Sequence, residues 1–333
     1  MQATIKEIAR RLGVNPSTVS RALAGKPNVS KYTRQRVLEM ARQLNYIPNL
    51  WAQNLVGAVS NWIGCLVLDL SNPFYVPLVR AMEDIAEQNG YIIFLGESRR
   101  QLQAEKTIIE RFRRIKAAGV IVSPVLVDLS HLQRLQEENV PLVIVGRTVP
   151  GFDSVNVDNF RSGYLVGQYL SRLGHRKIAF IHSGDPYNTP ERERLTGLKA
   201  ALTEMKISLD KEIVVGNNEI KGGELGAQKW MDTPNRPSAV FCSNDMLAMG
   251  FITQATRQGT LVPEDVSVVG HDNVPFAGMF RIPLTTVTFS TDKMGEKAME
   301  ILLPRMRGEN GCNSPQTILL EPEIVMRSSC SAK

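Results

Sequence analysis

At 333 residues, 43% hydrophobic and 22% charged, the sequence has the make-up of an ordinary globular protein and exceeds one average domain of roughly 100–200 residues. No apolar run approaches the ~18 residues of a membrane span, and the amphipathic start MQATIKEIARRLG lacks the apolar core of a secretory signal, so a cytoplasmic location without membrane contact is expected. The net charge of +6 is unevenly spread: residues 1–60 hold nine basic against two acidic residues, or +7, and the rest holds 30 against 31, or −1. Such a basic head on a near-neutral body suggests a module for a polyanion.

The head opens with Thr4 followed by Glu7, the pattern of a capping box, and the stripe Ile5, Ile8, Ala9, Leu12 predicts a helix that Gly13 ends. Asn15 as N-cap and Pro16 at the first helical position begin a second helix, NPSTVSRAL. Val19, Ala22 and Leu23 share one side of it, and Ser17 and Arg21 the other, with Ser20 at the edge. Two capped helices around a glycine turn read as a helix-turn-helix. A slim second helix fits the DNA major groove, with Arg21 as base reader and the helix N-terminus with Thr18 suited to phosphates. A generic three-helix interaction bundle explains the charge less well.

Ser30 is a candidate N-cap for a third helix with the stripe Val37, Met40, Ala41 and Leu44. Pro48 breaks it, and Asn49 can cap a short helix, LWAQNLVG, ended by Gly57. That piece is too short to be stable alone, and Trp51, Leu55 and Val56 have little polar cover. It reads as a packed linker or as a segment that folds on a partner. Cys65, Cys242, Cys312 and Cys330 show no metal-ligand spacing, and the first two read as buried thiols.

TIKEIARRLGVNPSTVSRAL, VS..TR..V and NYIPNLWAQNL resemble the LacI/GalR family of bacterial transcription regulators, and SNPFY, RERLTGL, SNDMLAMG, VSVVGHDN and PLTTVTFS continue the resemblance over essentially the whole chain. The resemblance implies a helix-turn-helix DNA-binding domain at 1–48 and a hinge helix and linker at 49–60. It implies a periplasmic-binding-protein-like core at 61–330, made of two Rossmann-like α/β subdomains, one about 61–160 plus 290–316 and the other about 161–289 plus 317–328. Matching positions place Ser17 and Arg21 at base edges and Asn15, Thr18, Ser30 and Thr33 near phosphates, and Thr4 and Pro16 complete the expected DNA-facing set. Leu55 matches the hinge leucine that wedges into the minor groove. Pro16 and Ser17 stand where some relatives carry larger hydrogen-bonding groups, which shifts base reading toward Arg21 and DNA shape.

In the body, apolar runs such as WIGCLVLDL, GVIVSP, PLVIVGR, KIAFIHSG and SAVFCSND alternate with helical stretches, the pattern of parallel α/β sheets occurring twice over. Ligands of such sheets bind at strand C-terminal ends. That points to Asp69 with the following SNPF and its Phe74, to Ser123, to Arg147, to Asn244 with Asp245, and to Asp272 with Asn273. Carboxylate, amide and guanidinium groups suit a polyhydroxylated ligand. Either Arg192 or Arg194 could face it by periodicity; the resemblance implies Arg194, together with Asn244 and Asp272, and Phe289 as a stacking face. Asp245 could instead cap the helix MLAMGFITQATRQG, and Arg147 could make a structural ion pair.

The expected protein is therefore a sequence-specific repressor whose operator affinity is set by a small effector, most simply a sugar, with no cofactor and no metal. No leucine-heptad tail follows the last strand, so a homodimer on a pseudo-palindromic operator is expected, with Val76, Val79, Arg80 and Met82 on its contact helix. A sugar receptor without a DNA role leaves the basic head unexplained. A nucleobase or a phosphoprotein corepressor are the alternative effectors. Catalysis is not expected: GGELG is no dinucleotide fingerprint, and His131, His175, His182 and His271 lie in no nucleophile or metal spacing.

Overall fold

The computed structural model describes residues 4–23, 27–46, 60–126, 128–309 and 314–333. The chain divides into two compact units, Met1–Val59 and Ser60–Lys333. The first holds α1 (Ile5–Leu12), α2 (Pro16–Leu23) and α3 (Lys31–Gln43) around Ile8, Ala9, Val19, Ala22, Val37 and Ala41. Thr4 caps α1 by accepting from the Glu7 amide at 3.2 Å. Only this half of the expected capping box forms, because the Glu7 carboxylate turns to Arg10 and Arg11. Gly13 ends α1 at φ +67°, a left-handed turn that costs glycine nothing. Residues 49–57, including the expected hinge-helix Leu55, lie outside the described residues.

The second unit is built on two sheets. The first contains β1 (Trp62–Val67), β2 (Ile92–Glu97), β3 (Gly119–Val122), β4 (Leu142–Val145), β5 (Asp153–Val157) and β11 (Thr317–Leu320), in the order β11-β5-β4-β3-β1-β2, all parallel. Around it lie α4 (Tyr75–Gln88) and α11 (Thr291–Arg307) on one face and α5 (Leu102–Arg114) and α6 (Gln133–Glu137) on the other. Along β1, Ile63, Cys65 and Val67 pack toward α4 while Leu66 packs toward α5, which is why the strand reads as one continuous apolar run.

The second sheet contains β6 (Ile178–His182), β7 (Lys211–Val214), β8 (Ala239–Cys242), β9 (Ser267–His271), β10 (Thr285–Thr288) and β12 (Glu323–Val325), in the order β12-β10-β9-β8-β6-β7. All its pairs are parallel except β10 with β12. The helices α7 (Asn159–Arg172) and α8 (Thr189–Glu204) cover one face, and α9 (Ile220–Met231) and α10 (Asp245–Arg257) the other.

The segment 317–328 was expected to belong wholly to the second subdomain, yet Thr317–Leu320 pairs with β5 in the first sheet and only Glu323–Val325 joins the second. The chain therefore crosses between the sheets at 321–322. A four-residue edge strand carries no mark of which parallel sheet it will extend. Met82 is fully buried rather than on an outer contact face, since with Leu78 and Ala86 it forms the i, i+4, i+8 stripe of α4 that packs inward. Val76 and Arg80 face outward and Val79 is half-buried. Cys65 and Cys242 are buried free thiols, as expected. Among the described residues, no helix is long and apolar enough to cross a membrane.

Candidate functional site

On the head, Asn15 organises the start of α2: its Oδ1 accepts from the Ser17 amide at 3.0 Å and from the Ser17 hydroxyl at 2.9 Å. Val19 and Ala22 are buried, while Asn15, Pro16, Ser17, Ser20 and Arg21 are exposed and Thr18 is half-buried. One helix face is thus anchored and the other presents a serine and an arginine one turn apart. Ser30 caps α3, accepting from the Thr33 amide at 3.1 Å and pairing with its hydroxyl at 2.8 Å. Beside them Tyr32 is 71% exposed, with the Arg36 guanidinium 5.7 Å from its ring centre. Sequence reading passed over that pair, because an outward aromatic on a helix leaves no trace in periodicity.

In the second unit the C-terminal ends of the strands of both sheets face one cleft, enclosing about 680 Å³ of empty space with its open mouth included. Phe74, Ser123, Arg147, Arg194, Asn244, Asp272 and Phe289 all line it. Asp69 does not. Its carboxylate folds back onto the Ser71 amide and hydroxyl at 2.9 and 2.6 Å, shaping the turn after β1 instead.

Arg194 is buried on α8, where its Nε donates to Asn159 Oδ1 at 2.8 Å and its Nη1 to the Ser243 carbonyl. Burial pulls its pKa down, and the fields of Asp272 and Glu191 push it back up. Arg192 lies outside on the exposed side, reaching the Pro186 carbonyl at 3.4 Å, so helix phase selects Arg194. Close approach of α7 makes this placement possible: a methyl at Gly163 would collide with the Arg194 carbonyl, and one at Gly197 with the Phe160 carbonyl.

Asp272 follows β9 with φ +107°, a strained position for a non-glycine residue. Its Oδ1 lies 2.8 Å from Nδ1 of His271, whose ring is fully buried. Burial, reinforced by Arg194, holds the His271 pKa down at about 4. The neutral ring then donates from Nδ1 and orients the carboxylate. Asn244 caps α10, accepting from the Leu247 amide at 2.8 Å and donating to the Asn218 carbonyl at 3.0 Å. Asp245, considered as that cap, is buried and instead accepts from the Thr286 hydroxyl at 2.5 Å and the Val274 amide at 2.8 Å, tying α10 to β10 and to the loop after β9.

Several lining residues were not anticipated. Glu191 is buried and accepts from the hydroxyls of Ser183 and Ser243 at 2.6 and 2.8 Å. Asn156, Asn218 and Ser243 add polar edges, and Tyr75 stands beside Phe74 at 4.9 Å between ring centres. The SNPFY stretch held the signal for Tyr75. Glu191 looked like any acidic residue in a first helical turn. Among the described residues no cluster of His, Cys, Asp and Glu could hold a metal ion.

Comparison with known proteins agrees with this layout. Residues 4–49 match the family model described as "Bacterial regulatory proteins, lacI family", and residues 168–330 match a "Periplasmic binding protein-like domain". The HTH-type transcriptional repressor CytR of Escherichia coli (strain K12) is 31% identical over 334 residues, covering 99% of this chain and 97% of that protein. The lac repressor dimer bound to operator and the anti-inducer ONPF superimposes with a TM-score of 0.86 at 26% identity, over 100% of both chains. A LacI family transcriptional regulator from Enterococcus faecium with bound ribose gives 0.74 at 27% identity, over 82% of this chain and 99% of that one. A capped three-helix head ahead of two largely parallel sheets, matched from end to end at this level, leads to one conclusion: the chain belongs to the lacI family of bacterial regulatory proteins.

Proposed function

We propose that this protein is a transcriptional repressor that binds a pseudo-palindromic operator through its head and answers to a small polyhydroxylated effector in its cleft. The observation that carries the reading is the concentration of buried polar groups in one cleft, Glu191 and Arg194 from α8 with Asn244 and Asp272 from strand ends, in a chain whose excess positive charge sits wholly on a helix-turn-helix. Carboxylates that accept and amides that do both match hydroxyls that do both. The lac repressor complex with operator and the ribose complex of the E. faecium regulator support the two halves separately. A nucleobase effector is less favoured. Phe74 and Phe289 lie 6.0 Å apart, tilted by 48°, and so pack against each other rather than framing a slot for a flat ring.

In this reading Ser17 and Arg21 face base edges, Thr4, Asn15, Pro16, Thr18, Ser30 and Thr33 lie along the backbone, and Leu55 enters the minor groove. A homodimer suits a two-fold operator. Its surface is proposed on edge strand β2 and the adjoining α4, where Ile92, Phe94, Leu95 and Val76 are 38–52% exposed. The test is selection of duplexes from a random pool, followed by titration at several salt concentrations. A repressor enriches a two-fold symmetric sequence, and its log affinity falls linearly with log salt. Arg21→Ala then weakens the matched base pair by about 1–3 kcal/mol and relaxes preference there. Enrichment of nothing, or affinity indifferent to salt, refutes the reading.

A further inference from the structure

Two arginines line the cleft from buried positions, and they differ in one respect. The polar partners of Arg194 are in place, Asn159 and the Ser243 carbonyl. Arg147 has none. It follows Gly146 at the end of β4, is 6% exposed, and its Nη1 is buried without a hydrogen-bond partner. Its pKa is drawn down by burial, against the weaker fields of Glu105, Tyr75, Asp185 and Glu193. No ion pair to Arg147 forms among the described residues. Glu105, the strongest of those fields, is engaged elsewhere: one oxygen accepts from the Val125 amide at 2.7 Å and the other meets His131 Nε2 at 2.5 Å. A guanidinium has five N–H donors and stays charged, so leaving it buried and unpaired is costly.

The groups beside Arg147 are donors too. A Cβ at Gly146 would stand 3.6 Å from Ser123 Oγ, so that hydroxyl lies against the turn carrying Arg147. Ser123 Oγ is 3.3 Å from Tyr75 Oη. One hydroxyl proton is used between these two, which leaves the other free for an outside acceptor. The opposite wall carries acceptors, Glu191 and Asp272. The two walls thus differ: the carboxylates lie on the second, where Arg194 is already engaged, and the first presents Arg147 beside two hydroxyls with no carboxylate partner for it among the described residues.

We propose that the effector is an anionic polyol whose carboxylate or phosphate monoester is anchored by Arg147, with a hydroxyl of Ser123 or Tyr75 donating to the same group. This rests on the cleft being the effector site. The fork of a guanidinium matches either oxyanion in two parallel hydrogen bonds, while Glu191 and Asp272 take the hydroxyls at the other end. A neutral sugar fills the acceptor wall and leaves Arg147 unpaired.

The test uses the full-length protein, isothermal titration and thermal unfolding, and matched sets of an aldose, its aldonate or uronate and its phosphate ester, in pentose and hexose series. In the set that fits, an anionic member binds at least about tenfold more tightly than the neutral one, as expected of a charge-assisted bond in a buried site. The aldonate and phosphate arms tell which oxyanion it is. Arg147→Gln removes that advantage and leaves the neutral member's affinity within about threefold, a change worth under 1 kcal/mol. Ligand-free Arg147→Met melts about 2 °C or more above the parent, because an unpaired buried charge has gone. Equal affinity for neutral and anionic members, unchanged by Arg147→Gln, overturns the anchor and leaves the effector site standing. If no member binds, melting decides: a lower melting temperature for Arg147→Met makes Arg147 a structural cation and overturns the proposal, and a higher one supports it.

Discussion

Arg194 is the counter-example to Arg147. Replacing it with Met leaves Asn159 Oδ1 and the Ser243 carbonyl without their donor, and leaves the carboxylates of Asp272 and Glu191 without the nearby cation whose field they share. Breaking such a buried network on one side costs roughly 3–5 kcal/mol, so Arg194→Met lowers the urea midpoint of the ligand-free protein; an unchanged midpoint would show that the network contributes nothing. His271 gives a pH signature. Burial holds its pKa at about 4 in the native protein against an ordinary 6.5. Between those values the unfolded chain binds a proton that the native state refuses. Stability is therefore complete above pH about 6.5 and falls as the pH drops toward 4, by on the order of 3 kcal/mol. His175, also held down by burial, acts in the same direction. His271→Asn keeps a donor for Asp272 and removes the proton, so urea unfolding of this variant at pH 7.5, 6 and 5 should fall less steeply than that of the parent.

Helix α8 owes its position to glycine on its neighbour. A methyl at Gly163 of α7 meets the backbone of Arg194, so Gly163→Ala pushes the helices apart. The expected loss is about 1–3 kcal/mol, as for other overpacked interiors. Because the same helix carries Glu191 and Arg194, effector affinity should drop with it, and calorimetry on the variant measures both. What was legible in advance follows from the same element-level physics. Parallel strands buried on both faces are unbroken apolar runs, so β1, β3, β4, β6, β8 and β9 could be seen, and with them the residues that follow, Ser123, Arg147, Asn244 and Asp272. β5, with the sequence DSVNV, and β7, with KEIV, lack such a run, and Asn156 was missed with the former. Asp69 failed the same rule because a turn can consume a carboxylate locally. Phase on a helix separates Arg192 from Arg194 only when the packed face is known, and α8 has apolar residues too evenly spread to define one. Met82 shows the converse: a pattern read as outward was the buried stripe.

At the scale of the molecule, charge and polarity are segregated: +7 in the first 60 residues, −1 in the remainder, and a polar cleft inside the second unit. In the proposed repressor the two sites communicate only through differential binding, because a ligand that binds both conformational states equally shifts neither. Reciprocity then follows. Whatever factor the effector applies to operator affinity, the operator must apply to effector affinity, and coupling energies of about 1–3 kcal/mol make that factor roughly 5–150. The direction, release or recruitment, is the same in both measurements. The check is two titrations under one buffer and salt: operator duplex into protein with and without saturating effector, and effector into protein with and without saturating operator. Factors that agree establish a single linked equilibrium. Factors that disagree would mean that the two titrations sample different assembly states of the chain, and the concentration dependence of the first titration would then reveal which species binds DNA.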